Sequence, residues 1–186
     1  MQRDHTPMDP ELLSAAARIK LLALDVDGVL TDGRIQYTST GEELKSFSIL
    51  DGLGIKLVRR QGIGVAIITA RKSAMVTRRA RELGIDHCLQ GREDKLAALL
   101  ELLRETGISL AETAYMGDDL PDLGALLAVG LGLTVANASS EVARRAAWQS
   151  SARGGEGAVR EACEMLLRAR GAWDDAIQPY LHPARQ

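Results

Sequence analysis

Cysteine, histidine and aromatic side chains are scarce in this chain, and no apolar run in it is long. Only two cysteines occur among 186 residues. Cys88 and Cys163 lie far apart in apolar stretches and form no CxxC pair, so they read as small hydrophobes and not as a disulfide or a zinc site. The three histidines, His5, His87 and His182, have no metal-ligand spacing, which removes a nitrogen-rich metal centre. No apolar stretch approaches the ~18 residues of a membrane-crossing helix, and the N-terminal MQRDHTPMDPELL lacks the apolar core of a secretory signal. A cytoplasmic protein with no membrane partner is expected. Charge of one sign is lacking too: 23 basic against 25 acidic side chains give a formal charge of −2. Such a balance makes no field that would recruit a nucleic-acid backbone, so nucleic acid is not an expected partner.

What the chain does have is apolar strand-length runs alternating with helical patterns. With 46% hydrophobic residues it can bury one substantial core, so residues 1–186 are expected to form a single domain. The alternation predicts an α/β fold, a three-layer Rossmann-like parallel sheet with helices on both faces. Asp9 and Pro10 predict the N-cap and first position of a short helix to about Arg18. KLLALDV (20–26) is apolar on both faces, as a central parallel strand should be. After it, Ile35 and Tyr37, an STGE turn, and Phe47 and Ile49 alternate as a β-hairpin, with Asp51-Gly52 ending it and capping a helix that stops at Gly62. Further expected elements are strands at 64–69, 86–90, 113–117 and 132–136. The expected helices run from about Lys72 to Gly84, from 94 to Gly107, through LPDLGALLAV and through SEVARRAA. A Gly-rich loop and one long terminal helix, with its tail at about 155–186, close the chain.

In an open parallel sheet, functional groups gather at the carboxyl ends of the strands. Asp25, Asp27, Thr69 and Asp118 each fall at such an end, and Lys95 opens a helix beside the same edge. Side chains two apart on a strand point the same way, so Asp25 and Asp27 flank one spot that Asp118 can share. Converging carboxylates without His or Cys suit a hard cation such as Mg²⁺. Together with Lys95 and the Thr69 hydroxyl, that set would hold a phosphoryl group. One of the paired aspartates could attack phosphorus and the other could protonate the leaving oxygen and later activate water.

The run DxDGVLTDG, a Thr ending the next strand, a helix-starting Lys and GDDxxD, spanning residues 25–122, resemble the four motifs of the haloacid-dehalogenase-like phosphatase superfamily. The resemblance implies that Asp25 is the nucleophile and Asp27 the general acid/base, with Thr69 and Lys95 holding phosphate. It implies Mg²⁺ on Asp25, the Asp27 carbonyl and Asp118, with Asp119 or Asp122 in support. A finer resemblance is carried by DVDGVLTDG, DGLGIKL, GIGVAIITAR, RARELGI, YMGDDLPDL and GGEGAVREACE. It is to the branch that dephosphorylates an eight-carbon keto-sugar acid of the lipopolysaccharide inner core, whose near relatives act on nine-carbon keto-sugar acid phosphates. Ala70, often Gly there, and Leu50, Arg in some members, depart from that pattern.

Neither inter-motif interval has room for a large cap domain. The hairpin at about 33–50 is then the only flap, and the resemblance implies that it closes the site within a homotetramer. Arg71 and Lys72 fall at a helix start, where cations are disfavoured, so Arg71 is expected to pair with the sugar carboxylate. Arg79 resembles a substrate-contacting arginine of the family. Ser48, Asp51 and Gly52 lie where backbone amides could meet an anion, and Gly154, Gly155 and Gly157 could form an anion nest on a segment that in the family reaches toward an active site. Three rivals stand at this stage, of which a catalytically silent oligomer-forming relative is disfavoured because all four motifs are intact. A dinucleotide fold lacks support because GLG at 52–54 follows a hairpin and misses a third glycine. A phospho-accepting receiver domain would carry its reactive Asp on a later strand and would stop after one turnover.

Overall fold

The computed structural model describes residues 9–182; His5 and residues 183–186 of the expected tail lie outside them. The strands are β1 (Leu21–Leu24), β2 (Gln36–Tyr37), β3 (Glu43–Leu44), β4 (Gly64–Thr69), β5 (His87–Gln90), β6 (Thr113–Met116), β7 (Leu131–Thr134) and β8 (Trp148–Gln149). Six of them make one parallel sheet in the order β5-β4-β1-β6-β7-β8. Its central strand is buried throughout. A one-residue slip of β1 would draw Asp25 into the body of the sheet, where a carboxylate is costly to desolvate. Both edges of β1 are fixed by register, Leu22 lying opposite Val65 on one side and Ala114 on the other.

The helices are α1 (Pro10–Ala17), α2 (Ile49–Arg60), α3 (Ala74–Leu83), α4 (Lys95–Thr106), α5 (Leu123–Ala128), α6 (Ser140–Ala143), α7 (Ala158–Ala169) and α8 (Trp173–Leu181). Leu22 and Leu24 join the core formed with α1, α2, α3, α7 and α8, while Leu21 and Ala23 join the core of α4, α5 and α6 on the other face. Each fully buried Leu or Ile in these layers contributes about 1.5–3 kcal/mol. This is the expected three-layer Rossmann-like α/β architecture, and no large cap stands over it among the described residues. No described helix is long and apolar enough to cross a membrane, and Cys88 and Cys163 are free thiols.

Topology places the site. From β1 the chain crosses toward β4 and β5, then returns to β6 and continues to β7 and β8. The loops after β1 and β6 therefore diverge, leaving a crevice between the carboxyl ends of two adjacent strands.

Several expected boundaries are corrected. The flap pairs only at Gln36 with Leu44 and Tyr37 with Glu43; Phe47 and Ile49 are outside its strands. The reason is Ser48, whose hydroxyl accepts from the Leu50 and Asp51 amides and starts α2 at Ile49. Asp51 is thus an interior residue of the first turn and not the cap. Helix α3 begins at Ala74, after Ser73, so Arg71 and Lys72 sit in the preceding loop. The single terminal helix is two, α7 and α8, parted at Gly171, whose φ of +67° no helix continues. Strand β8 was not expected; at two residues it carries almost no alternating pattern.

Candidate active site

The turn after β1 is wound on one carbonyl. Val26 O accepts from the amides of Val29, Leu30 and Thr31 at 3.3, 2.9 and 3.0 Å, and from the Thr31 hydroxyl. Gly28 within it has φ +102°, and a Cβ there would lie 2.1 Å from Asp118 Oδ2. Only glycine lets the β1 turn and the β6 turn approach this closely.

Asp122 organises the β6 side. It is 1% exposed, and both oxygens are occupied. Oδ1 accepts from Lys95 Nζ at 2.6 Å and from the Tyr115 hydroxyl at 2.8 Å; Oδ2 accepts from the amides of Asp118 and Asp119 at 3.1 and 3.2 Å. Lys95 also reaches Asp25 Oδ1 at 3.0 Å, bridging the two strand ends. Tyr115 escaped the sequence reading. A tyrosine inside the buried strand TAYM needs a partner for its hydroxyl, and that need is the signal that points to Asp122.

One oxygen from each of Asp25, Asp118 and Asp122 lies within 4.8 Å of the others. Three carboxylates against one ammonium leave an excess of negative charge in a half-dry site. Burial, reinforced by Asp122, pushes Asp25 and Asp118 up to about 7 each. Lys95 is raised as well: burial works against its charge, but Asp25 and Asp122 outweigh it. Burial beside Asp122 drives the Tyr115 phenol far upward, so it remains a donor. The donor set is oxygen only, which fits a hard divalent cation. Because Asp122 is saturated by four donors, Asp25 and Asp118 are the carboxylates free to meet one.

Across from this set, two residues at the cleft, Asp27 and Arg71, are tied to the flap, and here the sequence reading missed two residues. Lys45, whose side chain is 2% exposed, donates to Asp27 Oδ1 and lies 3.4 Å from Glu43 Oε1. The same Glu43 oxygen accepts from Arg71 Nη2 at 3.1 Å. Asp27, Lys45, Glu43 and Arg71 therefore alternate in sign across three segments. Glu43 and Lys45 are two apart, hence on one side of an extended chain, and that spacing was the available signal. Glu43, and not only a ligand, answers why Arg71 stands where it does.

A cleft of about 290 Å³ is lined by Asp25, Asp27, Thr69, Ala70, Arg71, Lys95, Asp118, Asp119 and Asp122, with Gly33 and Pro121. Thr69 is 2% exposed at the end of β4. Four residues expected at the substrate are placed elsewhere. Arg79 donates to the Ser48 carbonyl at 3.0 Å and lies over Phe47, clamping the flap's second stem to α3. Gly52 leaves the room that Arg79 fills, since a Cβ there would be 2.3 Å from Nη2. Asp51, buried and with its carboxyl pushed up by that burial, accepts from the Arg160 amide at the start of α7. The expected anion nest is also corrected: a Cβ on Gly154 would lie 1.7 Å from Gly28 O, and one on Gly155 2.6 Å from Thr31 C. Gly154 and Gly155 pack on the β1 turn, and their amides donate to Asn137 Oδ1 and Val29 O, so neither amide is free for an anion.

A haloacid dehalogenase-like hydrolase model matches residues 88–160. The chain is 45% identical to the 3-deoxy-D-manno-octulosonate 8-phosphate phosphatase of Salmonella typhimurium over 91% of this chain and 90% of that protein. A crystal structure of the phosphatase of that name from Moraxella catarrhalis, with a magnesium ion, a phosphate ion and a KDO molecule, has a TM-score of 0.90 at 48% identity. It covers 91% of this chain and 98% of its own. A probable phosphatase of the yrbi family from Pseudomonas syringae gives 0.92 at 49% identity, over 94% and 99%. These relatives are named as phosphatases, which sets the receiver-domain reading aside. With likeness of that extent on a crevice of this geometry, the chain belongs to the 3-deoxy-D-manno-octulosonate 8-phosphate phosphatase family of haloacid dehalogenase-like hydrolases.

Proposed function

We propose that this protein hydrolyses 3-deoxy-D-manno-octulosonate 8-phosphate to the free sugar acid and phosphate, a step of lipopolysaccharide inner-core sugar synthesis, as a single-domain cytoplasmic enzyme. The observation that carries this reading is the convergence of Asp25, Asp27, Thr69, Lys95 and Asp118 on one cleft. Asp25 attacks phosphorus, so that an Asp25 O–P bond forms as the bond from phosphorus to the sugar's terminal oxygen breaks. Asp27 gives that oxygen its proton. Asp27 then takes a proton from water, which attacks phosphorus and releases Asp25 and phosphate. The Thr69 hydroxyl and Lys95 hold the phosphoryl oxygens, and Lys95 is already oriented by Asp122. Mg²⁺ would be held by Asp25, the Asp27 carbonyl and Asp118, with Asp119 and Asp122 in support, and would supply charge neutralisation at the transferring group.

Arg71, at the rim of the same cleft, would take the sugar carboxylate. Ser48, Asp51, Gly52 and Arg79 would act by holding the flap stem and α7, and Arg79 faces an adjoining cleft with Lys45 and Phe47. The flap and the first turn of α2 leave Ile35, Tyr37, Leu44, Ile49 and Leu50 exposed. That apolar patch supports its burial against neighbouring subunits of a homotetramer, which a solution mass measurement tests. The test of function is phosphate release with Mg²⁺ from the eight-carbon acid phosphate, a nine-carbon keto-acid phosphate and hexose phosphates. Strong preference for the eight-carbon acid is expected. Preference for the nine-carbon acid would keep the Asp25 chemistry and overturn the substrate.

A further inference from the structure

The flap brings to Arg71, which lines the cleft, one carboxylate that no step of phosphoryl transfer uses. Glu43 Oε1 is shared between Arg71 Nη2 at 3.1 Å and Lys45 Nζ at 3.4 Å. Arg71 Nε is buried and has no hydrogen-bond partner. An arginine fork can give one carboxylate two parallel N–H bonds, and here it gives Glu43 one.

We propose that Glu43 is an internal competitor, whose carboxylate holds the place of the substrate's acid group on Arg71 until the acid displaces it. This rests on the reading that Arg71 receives the sugar carboxylate. The orphaned Nε gives the incoming acid a second bond that Glu43 leaves unmade, so exchange favours the substrate. Lys45 makes the exchange cheap in charge. When Glu43 leaves Arg71 it keeps an ammonium it already touches, and no carboxylate is stranded. A phosphorylated sugar without a carboxylate has nothing to offer Arg71 and meets a flap still tied to the far side of the cleft. Glu43 therefore competes with the acid alone, and the hexose binds with the Glu43–Arg71 pair in place.

The experiment compares steady-state kinetics on 3-deoxy-D-manno-octulosonate 8-phosphate and glucose 6-phosphate for the parent enzyme, Glu43→Gln, Glu43→Asp and Arg71→Gln. Removing a competitor raises the fraction of Arg71 that is free, so Glu43→Gln should lower KM for the acid by about threefold to tenfold. The acid-to-hexose ratio of kcat/KM should rise with it. Glu43→Asp, which keeps the charge on a shorter stem, should move the same way by less. A flap merely loosened by the change would raise KM for both substrates together. An acid KM that stays level or rises in Glu43→Gln overturns the proposal, even where Arg71→Gln lowers the ratio and so upholds Arg71. A ratio unmoved in Arg71→Gln overturns the Arg71 reading itself.

Discussion

The two walls of the cleft are built on opposite terms. On the sheet side, Asp122 is buried and every oxygen it has is partnered, yet the charges do not balance: Asp25, Asp118 and Asp122 face Lys95 alone. On the flap side the charges do balance, Asp27 and Glu43 against Lys45 and Arg71, but the strands are two residues long and their apolar side chains are half exposed. A fixed wall left short of positive charge is prepared for a cation and a phosphoryl group. A balanced wall with little packing can rearrange at small cost. Chemistry belongs on the first and selection on the second.

The sharpest break of that division is Asp25→Asn. It should reduce kcat by at least about 10³-fold, since the attacking oxygen is lost. Its thermal midpoint should hold or rise, because the lost carboxylate is one that burial disfavours. Glu43→Gln should instead act on KM. An Asp25→Asn enzyme with normal turnover would take the chemistry off the sheet wall altogether.

Next in size is Gly154→Ala. The segment 151–157 lies on the β1 turn, with the Gly155 amide donating to Val29 O at 2.9 Å and the Gly154 amide to Asn137 Oδ1 at 2.8 Å. A methyl group 1.7 Å from Gly28 O must push the turn that carries Asp27. The expected loss is about 2–3 kcal/mol in urea unfolding, with activity falling alongside it. No glycine of the flap is confined in this way; Gly41 has open space where a Cβ would go, and a side chain there meets only the backbone strain of its φ of +84°. Equal costs for side chains added in both places would erase the contrast between a packed wall and a loose one.

The same contrast governs how much could be read in the sequence. Asp25, Asp27, Thr69, Lys95 and Asp118 were legible because strand ends are, and a parallel sheet must bring them to one edge. Lys45 and Glu43 were not, since a hairpin held by two residue pairs leaves its register to contacts from afar. Ser48 took the cap expected of Asp51 because its hydroxyl is placed one turn earlier. Gly154 and Gly155 look like an anion nest in one dimension; only the fold reveals the turn lying against them. Tyr115 hid in the core pattern that made β6 easy to find.

The smallest expected effect is a slope with pH. Asp25 and Asp118 stand at about 7 in the folded protein and return to near 3.9 when unfolded. Between about pH 4 and pH 7 the folded state therefore binds more protons than the unfolded one, and stability falls as pH rises through that window. Mg²⁺ favours the ionised pair, so it should restore what the chelated protein loses. The difference in thermal midpoint between Mg²⁺ and chelator should be small near pH 5 and widen by about a few degrees toward pH 8. Asp118→Asn should flatten that widening, because it removes one of the two groups that titrate. Glu43→Gln should leave it as in the parent, because the flap's charges are already paired with one another. A gap that does not change with pH would mean that the sheet wall is as balanced as the flap, and the assignment of the metal to Asp25 and Asp118 would fall with it.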